Sequence, residues 1–410
     1  MIHFFKKKIE VFVTKEKIDT IFILFLILIM PIACLIKEYT LLLFFKDKFT
    51  FVFARALIVL FCTYYFFTRE NKFNNSILLL LLIHLMFIFF TFFGNEILFK
   101  VNYLKFYENI KVSDLVNKDL NNYKKIIFIN FFNVTLAIIV FLTKDIKINL
   151  KLFEKYFINF FYFFLFFLII LFMIKFTELY KYTLDLKRLV LEYGIFNDYK
   201  NRFFNFHLLF FPFSIFLLVQ FVKINNFESP NIFLIIFTFL FLFFIKANLI
   251  FLTILITFFF FKIKVFSLQK QIFYSIFFLL ILATVIYFLQ KYTGTVIESL
   301  YTRLLILEYL TKIEEPFLFF GRSFLLSKII NYPHNYFLDI YLTTGLFGIL
   351  FFIIFLQKSI KKIYNTKVNY LSILAVYSLI FSLFSGFFYL NIALNILLVA
   401  SLKLINENES

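Results

Sequence analysis

The chain has 410 residues, of which 63% are hydrophobic, 24% aromatic and 16% charged, with a mean hydropathy of +0.93. Soluble domains carry about 45–50% apolar and about 25% charged residues, so this composition excludes a soluble fold. The formal net charge of +18 comes from lysines and arginines scattered between hydrophobic spans, with no continuous basic stripe. No nucleic acid is therefore expected as a partner; the lipid bilayer and anionic membrane substrates are.

Twelve apolar spans can be drawn, each close to the roughly 20 residues that a bilayer core requires. They are 18–36, 49–68, 76–93, 126–143, 153–174, 207–223, 230–246, 247–264, 272–290, 336–356, 369–387 and 389–404. The expected fold is all-α, a polytopic integral membrane protein with about 12 transmembrane helices in one domain spanning 1–410. The first span has a basic leader, Lys6 to Lys8, and is long enough to stay as a helix. Residues 230–261 are too long for one helix, and a tight hairpin broken at Lys246 suits them. Cys34 and Cys62 both fall inside spans, so no disulfide framework or zinc spacing exists and no metal is expected.

Orientation follows from the short loops. With the N-terminus in the cytoplasm, the alternate loops carry Arg69 and Lys72, then Lys144, Lys147 and Lys151, then Lys262, Lys264 and Lys270, then Lys358, Lys361, Lys362 and Lys367. The longer segments 94–125, 175–206 and 291–335 then face outward, and both termini face the cytoplasm.

The segment 291–335 concentrates the polar chemistry. Residues 296–313 read as an amphipathic helix. With Arg303 at zero, Val296, Leu300, Ile306, Leu307 and Leu310 fall within about 60° of it. Arg303 is thus a guanidinium on an apolar face that needs an anion: a substrate, a lipid phosphate or a carboxylate from another loop. Downstream come Phe320-Gly321-Arg322-Ser323 and then Tyr332-Pro333-His334-Asn335. Asn335 is a good helix N-cap, which puts His334 at the mouth of the tenth span, where a near-neutral imidazole suits a general base. Asp339, one turn on, is either a partner for His334 or a basic residue, or a plain interfacial carboxylate. Gly345 and Gly348 permit close helix approach. His3, His84 and His207 are poorer candidates; His84 is mid-span. Arg55 suits snorkelling or a structural pair. Arg188, Lys200 and Arg202 form a basic exterior stretch that is either solvated or recruits an anionic headgroup.

Arg303, Pro316, Gly321, His334-Asn335 and the following Gly345 and Gly348 resemble the O-antigen ligase and polymerase superfamily of bacterial membrane glycosyltransferases. The resemblance implies cofactor-free, metal-independent glycan transfer on the periplasmic face of the bacterial inner membrane. The implied donor is a glycan on undecaprenyl diphosphate and the implied acceptor a lipid-linked or glycan hydroxyl. Arg303 would hold the diphosphate and His334 would activate the acceptor. The family's second arginine falls at Lys246, which keeps the charge but loses the bidentate fork; Arg322, Asn335 and Arg202 would assist binding. The family's acidic residue before the glycine is absent, since Thr343 and Thr344 stand there. Ligation to a lipid A–core acceptor is the first expectation and polymerisation on the carrier the second. A lipid-linked saccharide transporter is the alternative of another class, which an intramembrane charge network across several spans would favour.

Overall fold

The computed structural model describes residues 15–42, 50–93, 129, 131–180, 206–244, 248–263, 266–293, 336–365, 369–383 and 391–407. Among these the backbone is almost entirely helical, and a helix falls on each predicted span. The helices are α1 (Lys15–Leu42), α2 (Thr50–Thr68), α3 (Asn75–Phe93), α4 (Leu136–Thr143, entered through a π-helical turn at Phe131–Thr135), α5 (Leu150–Tyr180) and α6 (Phe206–Asn225). They continue with α7 (Ile232–Phe244), α8 (Asn248–Ile263), α9 (Leu268–Thr293), α10 (Tyr336–Asn365), α11 (Tyr370–Ser382) and α12 (Ile392–Glu407).

Among the described residues, five stretches are long and apolar enough to cross a membrane: Lys15–Lys37, Thr50–Thr68, Leu150–Leu171, Gln269–Phe288 and Thr343–Lys361. Others are shorter. Helices α7 and α11 have 13 residues each, a rise of about 20 Å against a core of about 30 Å. The apolar stretch 230–261 is divided as expected, with α7 ending at Phe244, α8 starting at Asn248, and the two packed together. Large apolar side chains such as Phe53, Phe67, Phe273 and Leu280 stand exposed, as lipid-facing residues do.

The chain forms two compact units. The first comprises Met1–Leu57, Ile146–Thr293 and Lys367–Tyr377. Its central helix is α1, largely buried and packed on α5 and α6. Phe161 of α5 stacks on Phe216 of α6 at 4.3 Å and meets Phe213 edge-on. Three helices of this unit start at asparagines: the Oδ1 atoms of Asn149, Asn231 and Asn369 accept N–H bonds from Leu152, Leu234 and Ser372, satisfying donors that a helix start leaves open.

Polar contacts gather several helix ends of the first unit at one level. Asp19 accepts from the Lys147 amide at 2.9 Å, and Thr20 Oγ1 from the Asn149 amide at 3.1 Å. Lys223 at the end of α6 pairs with Glu154 at 2.6 Å, and the Tyr370 hydroxyl donates to the same carboxylate. Lys262 Nζ at the end of α8 donates to Asn225 Oδ1 at 2.7 Å. The starts of α1, α5 and α11 thus share a level with the ends of α6 and α8, as spans alternating in direction require.

The second unit comprises Ile58–Asp145, Gly294–Thr366 and Ser378–Ser410. Helix α10 lies along α3, and α12 packs on α3, α4 and α10. The turn after α2 pairs with the end of α4: the amides of Lys72 and Asn74 donate to Thr143 and Leu142 carbonyls, both at 2.8 Å. Lys144, in one of the short basic loops, is buried. Its ammonium bonds Asn71 Oδ1 at 2.6 Å and lies 4.6 Å from the Phe66 ring centre. Its carbonyl accepts from Lys403 near the end of α12. A short loop folded back over helix ends removes this cation from water, and the amide oxygen and ring stand in for its hydration shell.

Glu154 holds both Lys223 and Tyr370, so its removal strands two polar groups. Glu154→Ala is expected to lower thermal stability by about 1–3 kcal/mol, measured by unfolding in detergent, with Lys223→Met costing less than the carboxylate's loss.

Candidate functional site

The best-defined polar constellation among the described residues lies in the second unit, at the first turns of α10. Tyr336 and Asp339 are buried there, 1% and 2% exposed. The Tyr336 hydroxyl lies near Asp339 and the side chain of Asn391. Asn391 is the N-cap of α12: its Oδ1 accepts the Leu394 amide at 3.1 Å, and its carbonyl accepts from Asn395 Nδ2 at 2.9 Å. Asn395 Oδ1 in turn lies 3.2 Å from His84 Nε2, with both side chains fully buried. With a proton on Nε2 the ring donates to the amide oxygen across that distance. A chain of polar groups therefore runs from the mouth of α10 through the start of α12 to the middle of α3.

The π-helical turn before α4 contacts α3 and α12. Asn133 and Thr135 in it are buried, and Asn133 Oδ1 and Thr135 Oγ1 have no hydrogen-bond partner among the described residues. Such turns are frequent at functional sites, and buried unsatisfied oxygens cost about 1–3 kcal/mol each.

Helix α10 bends at Gly345, whose φ of 73° and ψ of −164° lie in a region open essentially to glycine alone. Just before the bend, Thr343 Oγ1 bonds the Asp339 carbonyl at 2.5 Å and Thr344 Oγ1 bonds the Ile340 carbonyl at 2.6 Å. Those hydroxyls satisfy carbonyls next to the interruption in the helix. The bend also carries Thr344 over Gly348: a Cβ built on Gly348 would lie 1.8 Å from Thr344 Oγ1 and 2.4 Å from Thr344 Cβ. Gly345 makes the bend and Gly348 leaves room for Thr344; both are buried on α10, which packs along α3.

Of the residues singled out in the sequence, His334, Arg303, Lys246, Arg322, Asn335 and Arg202 lie outside the described residues, as does the predicted amphipathic helix at 296–313. Asp339 is buried, not a solvated interfacial carboxylate. Arg55 is half-buried in α2, and its Nε has no hydrogen-bond partner among the described residues. In the sequence alone Asn391, Asn395 and Tyr336 are not singled out, and His84 ranks as a poorer candidate for being mid-span; the signal for them is that polar side chains inside apolar spans are costly unless partnered.

Breaking the His84–Asn395 contact from either side should destabilise the protein, while His84→Leu combined with Asn395→Leu should recover part of the loss, with coupling of about 0.5–3 kcal/mol, read from a double-mutant cycle of thermal unfolding. Gly348→Ala should abolish folded protein in detergent, and Thr344→Ala should not rescue it, because the Thr344 Cβ is itself in the way.

No protein-family model, no curated protein and no solved structure matches this chain, so the functional reading stands on its own residues.

Proposed function

We propose that the chain is a membrane glycosyltransferase of about twelve spans that moves a glycan from undecaprenyl diphosphate to a hydroxyl acceptor on the periplasmic face. The observation that carries this reading is the run Arg303, His334-Asn335, Gly345-x-x-Gly348 against a helix that begins at Tyr336. Anchored by Tyr336 and Asp339, the first turn of α10 is a firm base for a catalytic group one or two residues upstream. Reactive groups need such support to hold their geometry.

In this mechanism the acceptor oxygen attacks the anomeric carbon of the donor and the bond from that carbon to the diphosphate oxygen breaks. His334 takes the hydroxyl proton, and the diphosphate leaves with its developing charge held by Arg303. Lys246 supplies a second positive charge; Arg322 and Arg202 draw the donor headgroup toward the site, and Asn335 caps α10 beside the base. The same parts serve a ligase, which delivers the glycan to a lipid A–core hydroxyl, and a polymerase, which extends it on its carrier. Both termini lie in the cytoplasm in this reading.

One observation favours a reading of another class. The polar chain from Tyr336 to His84 crosses three helices, and a transporter of lipid-linked saccharide would use intramembrane polar groups of that kind. The two readings separate on His334, which a transporter does not need as a base.

Replacing His334 by Ala in the native host should cut glycan transfer by about 10²–10⁴-fold, read as lost polymer or attachment on gels of surface glycan; unchanged polymer length and attachment would overturn the proposal. In a deletion strain, long polymer accumulating on the carrier marks a ligase, and single repeat units on the core mark a polymerase.

A further inference from the structure

A groove of about 210 Å³ opens between α8 and α9, close to the turn that joins them. Aromatic contacts build its walls. Phe259 stacks on Phe278 with centroids 3.9 Å apart and planes 8° from parallel. Nearer the turn, the Phe266 and Tyr274 rings meet at 4.9 Å, and Gln271 Nε2 donates to the Phe266 carbonyl at 2.8 Å, tying the turn to the first residues of α9. Ile281 closes the far end. The lining is apolar except for Lys262 at the mouth, which is exposed.

Among the described residues the partners of Lys262 are neutral: Asn225 Oδ1 at 2.7 Å and the Phe221 ring at 5.6 Å. No acidic residue occurs between Asn248 and Ile297, while Lys262, Lys264, Lys270 and Lys291 do. The chemistry therefore calls for an occupant with an apolar tail and an anionic head. We propose that this groove binds an anionic phospholipid, with one acyl chain along the Phe259–Phe278 wall and the phosphate at Lys262.

A second transmembrane helix fits less well. Tight helix pairs use small residues four apart, and α9 has no such pair, whereas Ile272, Phe273, Ile276, Phe277, Leu279 and Leu280 leave it lined with bulky exposed side chains. Tyr274 at the rim suits the headgroup level, where tyrosine is enriched. Lys262 lies at the same level as the Glu154–Lys223 pair of this unit, the end that the charge of the short loops assigns to the cytoplasm. The site therefore belongs to the inner leaflet and is separate from the proposed transfer chemistry.

The test is native mass spectrometry of the full-length protein released from bilayer nanodiscs holding equal phosphatidylglycerol and phosphatidylcholine. The wild-type chain should retain phosphatidylglycerol preferentially. Lys262→Gln should lower that preference about fivefold, Lys262→Arg should keep it, and Ile281→Trp, which fills the groove, should reduce retention of both lipids. An unchanged preference in Lys262→Gln would overturn the assignment. So would an Ile281→Trp variant that keeps its lipid but turns from dimer to monomer, since the groove would then seat a second copy of the chain.

Discussion

Inside a bilayer there is no water to complete a hydrogen bond, so a polar side chain on an apolar helix is costly unless the protein supplies its partner. Both units are organised by that requirement. In the first, Glu154 gathers Lys223 and Tyr370 from two other helices, and the Tyr377 hydroxyl bonds Ser214 at 2.8 Å. In the second, Lys144 is satisfied by an amide oxygen and an aromatic face, and His84 by Asn395. The apolar surfaces pack without direction; these few contacts choose which helices meet and in what register.

The consequence for function is concentrated at α10. Here Tyr336 and Asp339, in and next to its first turn, are buried, and its third turn bends at Gly345. Asp339 and Tyr336 are then better understood as the foundation of the α10 mouth than as groups that touch a substrate. The same foundation would serve a transporter, which is why the chemistry at His334, and not the polar chain beneath it, separates the two readings.

Much of the fold was legible because bilayer thickness and hydropathy leave few alternatives: a helix falls on every predicted span, and the stretch 230–261 is divided between Phe244 and Asn248. The alternation of helix direction was legible too, since short basic loops demand it, and the contacts of Asp19 with Lys147 and of Lys403 with Lys144 agree with it. Tertiary pairing was not. The period of an apolar helix says little when most faces are apolar, so nothing local ties His84 to a residue 311 positions away. The spacing of Gly345 and Gly348 suits close helix approach, and both are buried, but nothing in that spacing announces the bend of the backbone at Gly345. The burial of Lys144 is not legible for a related reason: a short basic loop can fold back over its own cation.

The central claim is bond chemistry at the α10 mouth, and the most direct measurement uses purified protein in proteoliposomes with a glycan linked to undecaprenyl diphosphate and a hydroxyl acceptor. The account predicts that free undecaprenyl diphosphate appears in step with glycosylated acceptor, and that His334→Ala stops both while the protein stays folded. Glycan that reaches the opposite leaflet with its diphosphate linkage intact, and does so equally well with His334→Ala, would contradict it.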